Sequence, residues 1–335
     1  MKLIVDNAIP FIRDRFPDGI DVTYLPGKEI TPDVVKNADA LIVRTRTRCD
    51  EKLLKGSNVK LVVTATIGTD HIDIPWCEAN DIIVKSAPGC NAPGVAQYVF
   101  SSLFQAGFNP EKDILGIIGY GNVGSVVADW AGKMGIKTLI SDDPRKENGF
   151  RDVDYRDMED VLRNSDAVTL HVPLTKDGKF PTYRLIGNKE LEMMKPNAVL
   201  VNSSRGGVVD ERELKKYLKE KRLKAIVDVW ENEPAIDTEL ARLAAISTPH
   251  IAGYSVEGKK RATKMALQAV KDVLDIDINL SGLECLPDND KEINRETIEK
   301  SYNSVKDSKS LLADVSKFEE LRTMYNYRHE PLFSE

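Results

Sequence analysis

Short apolar runs alternate with helical patterns from the first residues onward. Lys2–Val5, Ala40–Val43, Leu61–Thr64 and Ile82–Val84 are too short for helices and read as strands. Between them, Thr31–Ala38 and Asp50–Gly56 open on helix-starting residues and space their apolar side chains three or four apart. A longer helical stretch, Ala92 to Ala106, leads to a second series of strands. These are Ile114–Ile118, Thr138–Ile140, Ala167–His171, Ala198–Asn202, Ala225–Val229 and a short run at Ile246–Ser247. Helical patterns lie among them at Asn122–Met134, Asp157–Asn164, Asn188–Met194 and Glu211–Lys221. Such alternation predicts parallel sheets with covering helices. From Val256 to Leu274 the residues Ala262, Met265, Ala266, Ala269, Val270 and Val273 form one apolar face, which predicts a helix returning to the first unit.

One junction in this pattern carries chemistry. Directly after Ile118, Gly119, Gly121 and Gly124 stand in G-x-G-x-x-G spacing, with Asn122 and Val123 opening the next helix. The following strand ends in Asp142, 18 residues beyond the last glycine. Strand, glycines, helix and acid together make a dinucleotide fingerprint. The first glycine makes the turn, the second lets backbone approach a pyrophosphate, and the third lets helix pack on strand. Gly119, Gly121, Asn122, Val123 and Gly124 are thus read as cofactor-binding, with the pyrophosphate on the helix N-terminus. A carboxylate at the ribose accepts from both hydroxyls and repels a 2′-phosphate, so Asp142 favours NAD over NADP. Arg145, three residues on, is expected to soften that preference. The expected fold class is α/β, with two doubly wound parallel-sheet domains. A flavodoxin-like substrate domain takes 1–90 and 255–280, and a Rossmann-type NAD domain takes 91–254. A short C-terminal extension, 281–335, is polar, with weak helical pattern around Lys309–Tyr325, and is expected to be an appended arm or partly disordered.

Composition narrows the class. With 335 residues, 41% hydrophobic and 30% charged, the chain suits two globular domains. A net charge of −6 and a pI near 5.5 argue against a nucleic-acid footprint and against attraction to an anionic membrane surface. No apolar run approaches the ~20 residues of a membrane span, and the apolar stretch of MKLIVDNAIP is short for a signal peptide. Cys49, Cys77, Cys90 and Cys285 show no framework spacing and fit reduced thiols in the cytoplasm. No metal-ligand set is assigned.

Catalytic groups in a doubly wound fold come from the carboxyl ends of strands. Three such ends read Asn202-Ser-Ser-Arg205-Gly-Gly, Asp228-Val-Trp-Glu-Asn-Glu233-Pro and Thr248-Pro-His250-Ile-Ala-Gly253-Tyr254. Oxidising a 2-hydroxy acid requires a base for the hydroxyl proton, a partner for that base and a cation for the carboxylate. His250 suits the base, because imidazole alone titrates near neutrality without perturbation. Glu233 suits the partner, and the planar fork of Arg205 matches a carboxylate bidentately. Singly, these residues have bland readings as an ion pair, a loop and a core histidine. Together, behind the fingerprint, they read as a catalytic set.

At these residues the chain resembles the D-isomer-specific 2-hydroxyacid dehydrogenases, whose Arg, Glu and His stand in motifs like NSSRGGVVD, DVWENEP and TPHIAGY. The resemblance covers about residues 1–280, with the motifs in order. LIVRTRTR (41–48), TATIGTDHID (64–73), SAPGCNAPGVAQYVFSSL (86–103), TLISDDPR (138–145) and TPHIAGYSVEGKKRAT (248–263) are similar to one branch of that family. That branch oxidises 4-phospho-D-erythronate to (R)-3-hydroxy-2-oxo-4-phosphooxybutanoate in pyridoxal 5'-phosphate biosynthesis. The resemblance implies NAD as cofactor, a homodimer, and Thr45, Thr66 and Tyr254 as substrate contacts. It also implies Asp142 on the adenosine ribose and Asp228 and Gly253 near the nicotinamide end. Val172 lies where relatives touch NAD, and its residue type carries over only a backbone or packing contact. Sister enzymes, a 3-phosphoglycerate dehydrogenase or a hydroxypyruvate or glyoxylate reductase, share all this chemistry. An NAD-sensing corepressor-like binding protein is the alternative from another class, against which the intact Arg, Glu and His count.

The residues themselves agree with a small phosphorylated substrate. Arg44, Arg46 and Arg48 alternate after a strand and share one face if the chain stays extended, with Arg44 the best phosphate ligand; a solvated charged loop is the alternative. Two features depart from the branch: Gln97 stands where relatives often carry Glu, and the tail is short beside the family's dimerisation domain, YNYRHEPLFSE keeping an echo of it. His71 and His171 are expected to be structural, Cys90 to lie in a cleft wall open to alkylation, and His329 to lie on the surface.

Overall fold

A computed structural model describes residues 1–333. The chain forms two compact units, one of Met1–Asn91 with Val256–Leu286, the other of Ala92–Ser255 with the residues from Pro287 onward.

The first unit holds β1 (Lys2–Asp6), β2 (Asp21–Leu25), β3 (Ala40–Val43), β4 (Leu61–Thr64) and β5 (Ile83–Lys85). They run parallel in the order β2-β1-β3-β4-β5. Strand alternation sends Leu3, Val5, Ala40, Ile42, Leu61 and Val63 to one face, where Ala266, Leu267 and Val270 of the helix Val256–Leu274 cover them. Ile4, Leu41, Val43 and Val62 take the other face, against Val35, Leu54 and Cys77. Burial on both faces explains why β3 and β4 read as unbroken apolar runs. The edge strand β2 is only half-buried, and its DVTYL carries no such run, so the sequence pattern passes over it.

The second unit is a six-stranded sheet of β6 (Ile114–Ile118), β7 (Lys137–Ser141), β8 (Ala167–Leu170), β9 (Val199–Asn202), β10 (Lys224–Val227) and β11 (Ile246–Ser247). All pairings are parallel, in the order β11-β10-β9-β8-β6-β7. The order reverses at β6, so its carboxyl end lies at the topological switch point, where ligands bind in such sheets.

The extension behaves differently from the expected arm. Residues 287–333 pack into the second unit through the helices Arg295–Ser301, Ser304–Ala313 and Phe318–Thr323. Ile298, Leu311 and Phe318 are fully buried. Each such side chain contributes roughly 1.5–3 kcal/mol, so a few anchors hold a polar segment that could not build its own core. Ser308 also accepts the backbone N–H of Ser247 at 3.0 Å, satisfying a donor of the edge strand β11.

Candidate active site

At the switch point two of the three glycines are sterically required. Gly119 has φ +92°, and a Cβ there would stand 2.5 Å from the carbonyl oxygen of His171. A Cβ on Gly124 would lie 1.9 Å from the Gly119 oxygen, whereas nothing lies within 4 Å of one on Gly121. Gly121 caps the helix Asn122–Lys133 without a side chain, leaving the leading N–H groups around Asn122 and Val123 to an incoming acceptor. Asp142 follows β7, and its carboxylate accepts the N–H of Tyr120 at 2.7 Å and of Arg145 at 3.0 Å, tying the glycine loop to the acid. A pocket of about 510 Å³ lies here, lined by Gly121, Asp142, Pro144, Val172, Thr182 and Leu185. Val172 packs on the glycine turn, its Cγ1 standing 2.9 Å from where a Gly119 Cβ would be. His171 also lines the pocket, and burial pushes it down to about 3, so it stays neutral. Arg145 is engaged elsewhere, donating to Tyr155 at 2.8 Å and Asp152 at 2.7 Å. A turn that admits no Cβ at Gly119 or Gly124, a helix start with no side-chain cap and an acid at the second strand end together fit NAD.

The other three strand ends carry the candidate catalytic residues. After β9, the Asn202 side chain accepts from the N–H and Oγ of Ser204 and donates to the Arg205 carbonyl at 3.1 Å. That turn holds Arg205 half-buried, with Nη1 donating to the Ser204 carbonyl at 2.8 Å. After β10, the Glu233 carboxylate accepts the Trp230 N–H at 3.0 Å and lies 2.8 and 3.0 Å from His250 Nδ1. Burial pushes Glu233 up, but hydrogen bonding and charge from His250, the Trp230 N–H and Arg322 outweigh it and hold the carboxyl below its usual range. An ionised carboxylate only accepts, so Nδ1 carries the proton. Nε2 has no hydrogen-bond partner among the described residues. Behind this pair, Glu211 accepts the Glu231 N–H at 2.7 Å.

His250 sits at φ +57°, a left-handed conformation that costs a non-glycine residue roughly 1–3 kcal/mol unless its surroundings impose it. Asp228 is one source of that constraint. Only 1% exposed, it accepts the N–H of Ile251 at 2.8 Å, the N–H of Ala252 at 2.9 Å and the Thr248 hydroxyl at 2.6 Å. Its carboxylate is therefore committed to the His250 loop. Gly253 and Tyr254 follow in the same loop, and the Tyr254 hydroxyl accepts from Arg322 Nε at 3.3 Å.

Arg322 escapes a sequence reading. Its Nη1 also stands 3.9 Å from Glu233, although nearly 90 residues separate the two. The burial of Phe318 and Leu311 anchors the segment that carries it.

In the first unit, Arg44 is half-buried after β3 and donates to the Ala8 carbonyl at 2.7 Å, with Thr45 exposed beside it. The chain does not stay extended. It turns, the Thr47 N–H bonding the Arg44 carbonyl and the Thr47 hydroxyl the Gly27 carbonyl at 3.0 Å, and Arg48 pairs with Asp50 at 2.7 Å. The condition for one shared arginine face is thus not met. Thr66 follows β4, 2.6 Å from the Thr64 hydroxyl, which in turn lies 3.2 Å from Nε2 of the buried His71. Cys90 is 3% exposed among Ala87 and Ala262, not open to alkylation.

Residues 98–252 match the family described as D-isomer specific 2-hydroxyacid dehydrogenase, NAD binding domain. Erythronate-4-phosphate dehydrogenase of Bacteroides fragilis is 44% identical over 340 residues, covering 98% of this chain and 97% of that protein. The Escherichia coli enzyme of the same name is 42% identical over 274 residues, 80% of this chain and 72% of its own. Among solved structures, D-lactate dehydrogenase from Aquifex aeolicus, complexed with NAD and lactic acid, is 25% identical with a TM-score of 0.67, covering 82% of this chain and 96% of that one. With its glycine cradle, its Glu233–His250 pair and a 44% identical relative matched along 97% of its length, the chain belongs to the NAD-dependent D-isomer-specific 2-hydroxyacid dehydrogenases.

Proposed function

We propose that the chain oxidises 4-phospho-D-erythronate at C2, giving (R)-3-hydroxy-2-oxo-4-phosphooxybutanoate for pyridoxal 5'-phosphate synthesis. The observation that carries the substrate assignment is the 44% identity to an erythronate-4-phosphate dehydrogenase across 98% of the chain. NAD, when bound on Gly119–Gly124 and Asp142, supplies the hydride acceptor. His250 Nε2 takes the hydroxyl proton as the C2–H bond breaks and the C2–O bond becomes a carbonyl. Glu233 keeps the proton on Nδ1 and balances the charge that the ring gains. Arg205 holds the substrate carboxylate in a two-point contact. Arg44, Thr45, Thr66 and Tyr254 contact the remainder of the substrate, with Arg44 the phosphate ligand. Gly253 and Val172 line the cofactor's path, and Asp228 serves it through the loop that it holds. The enzyme works as a cytoplasmic homodimer, which the four free cysteines, three of them buried, suit.

Initial rates of NADH formation on three acids test this reading. The expected order places kcat/KM for 4-phospho-D-erythronate at least ~100-fold above those for D-erythronate and 3-phosphoglycerate, because a polar site rejects an analogue that leaves its groups unpaired. A preference for 3-phosphoglycerate would move the assignment to the sister activity.

A further inference from the structure

The loop after His250 is gripped from two sides. Asp228 takes its N–H groups, at Ile251 and Ala252. Its carbonyl groups are taken by Arg328, a residue of the C-terminal segment that is only 9% exposed. Arg328 Nη1 donates to the carbonyls of Ile251 and Tyr254, both at 3.1 Å, and Nη2 donates to that of Ala252 at 2.5 Å. The same guanidinium is anchored to the helix Ala92–Gln105, with Nη2 on the Gly94 carbonyl at 3.0 Å and Nε on the Gln97 side chain at 2.8 Å. Its flat face lies over the Tyr302 ring, 4.1 Å from the centroid. Among the described residues no carboxylate bonds it, and all its hydrogen bonds go to neutral oxygens.

A buried arginine so placed is costly unless every N–H finds a partner, and here all five do. A planar fork with donors on two edges reaches the helix and the loop at once, which a point charge cannot. We propose that Arg328 is a positioning residue for catalysis: opposed to Asp228 across the loop, it holds Ile251–Tyr254 so that His250 keeps its left-handed backbone and Nε2 its aim. The C-terminal segment then completes the active site and does not merely decorate it. Gln97 belongs to the same device, since its Oε1 orients Nε while its Nε2 donates to Ser301 and to the His329 carbonyl, both at 2.8 Å.

This inference rests on His250 being the base, and its test separates the two claims. Arg328→Lys keeps the charge and loses the fork. Misplacing a catalytic group by an ångström costs up to ~100-fold, so kcat is expected to fall at least ~10-fold while KM for NAD stays within about twofold. In the same variant, the amides of Ile251 and Ala252 are expected to exchange with deuterated water at least ~10-fold faster, because their bonds to Asp228 loosen. If Arg328→Lys does not fold, Gln97→Ala, which removes the Nε acceptor together with the bonds to Ser301 and the His329 carbonyl but leaves the guanidinium on the loop, is expected to show the same pattern more weakly. Wild-type kcat with wild-type exchange in a folded variant overturns the proposal, and so does a fall in kcat with unchanged exchange. A wild-type protein that oxidised no 2-hydroxy acid would defeat the functional reading, and the exchange measurement would still decide the loop.

Discussion

Replacing His250 with alanine is expected to lower kcat by about 10²–10⁴-fold while NAD affinity stays within about twofold. The asymmetry follows from the architecture. The proposed cofactor contacts follow β6 and β7, at Gly119–Gly124 and Asp142, whereas the imidazole comes from the turn after β11. Removing the ring takes away the proposed proton acceptor, and Glu233, although held ionised, faces Nδ1 and not the open Nε2 side. Steady-state turnover and NAD titration by fluorescence check the two halves separately. Unaltered turnover would sink the assignment of the base.

The other large effect is on stability. Burial, with Glu231, Asp237 and Glu233 nearby, pushes the Glu211 carboxyl up from 4.5 to about 7, against a lowering by the Glu231 N–H bond. Between those values the unfolded chain ionises and the folded one does not, so stability falls as pH rises from about 4.5 to about 7 and then levels off. At 1.36 kcal/mol per unit, the shift of about 2.5 units corresponds to a loss of about 3 kcal/mol. Glu211→Gln keeps the oxygen that accepts the Glu231 N–H and removes the titration. The variant is expected to melt several degrees above wild type at pH 8 and close to it at pH 4.5. Equal melting temperatures at pH 8 would show that Glu211 carries no such strain.

Much of this was legible in residue patterns because the forces behind it are local or periodic. Strands buried on both faces read as apolar runs, and β3, β4, β8 and β9 are of that kind. The half-buried edge strand β2 is not, and its pattern hides it. The glycine loop is readable because its requirement is steric, as the 1.9 Å approach at Gly124 makes plain. Arg205, Glu233 and His250 could be singled out as candidates because parallel topology delivers strand ends to one side of a sheet. The alternation at Arg44, Arg46 and Arg48 gives no shared face for a local reason: the Thr47 hydroxyl bonds the Gly27 carbonyl and helps turn a chain that alternation treats as straight. Arg322 and Arg328 were out of reach for a different one. They sit in a polar segment whose few apolar anchors lack a period, and their hydrogen-bond and ion-pair partners lie between 68 and 234 residues away in sequence, apart from Tyr325, three residues before Arg328. What the tail contributes appears only once Leu311 and Phe318 are buried.

Isotope transfer tests the central claim most directly. The protein is incubated with NAD and 4-phospho-D-erythronate carrying deuterium at C2, and the reduced cofactor is analysed by mass spectrometry. Hydride transfer at C2 predicts one deuterium on the nicotinamide ring for each acid oxidised. Reduced cofactor without deuterium, or no reduced cofactor at all, would contradict it.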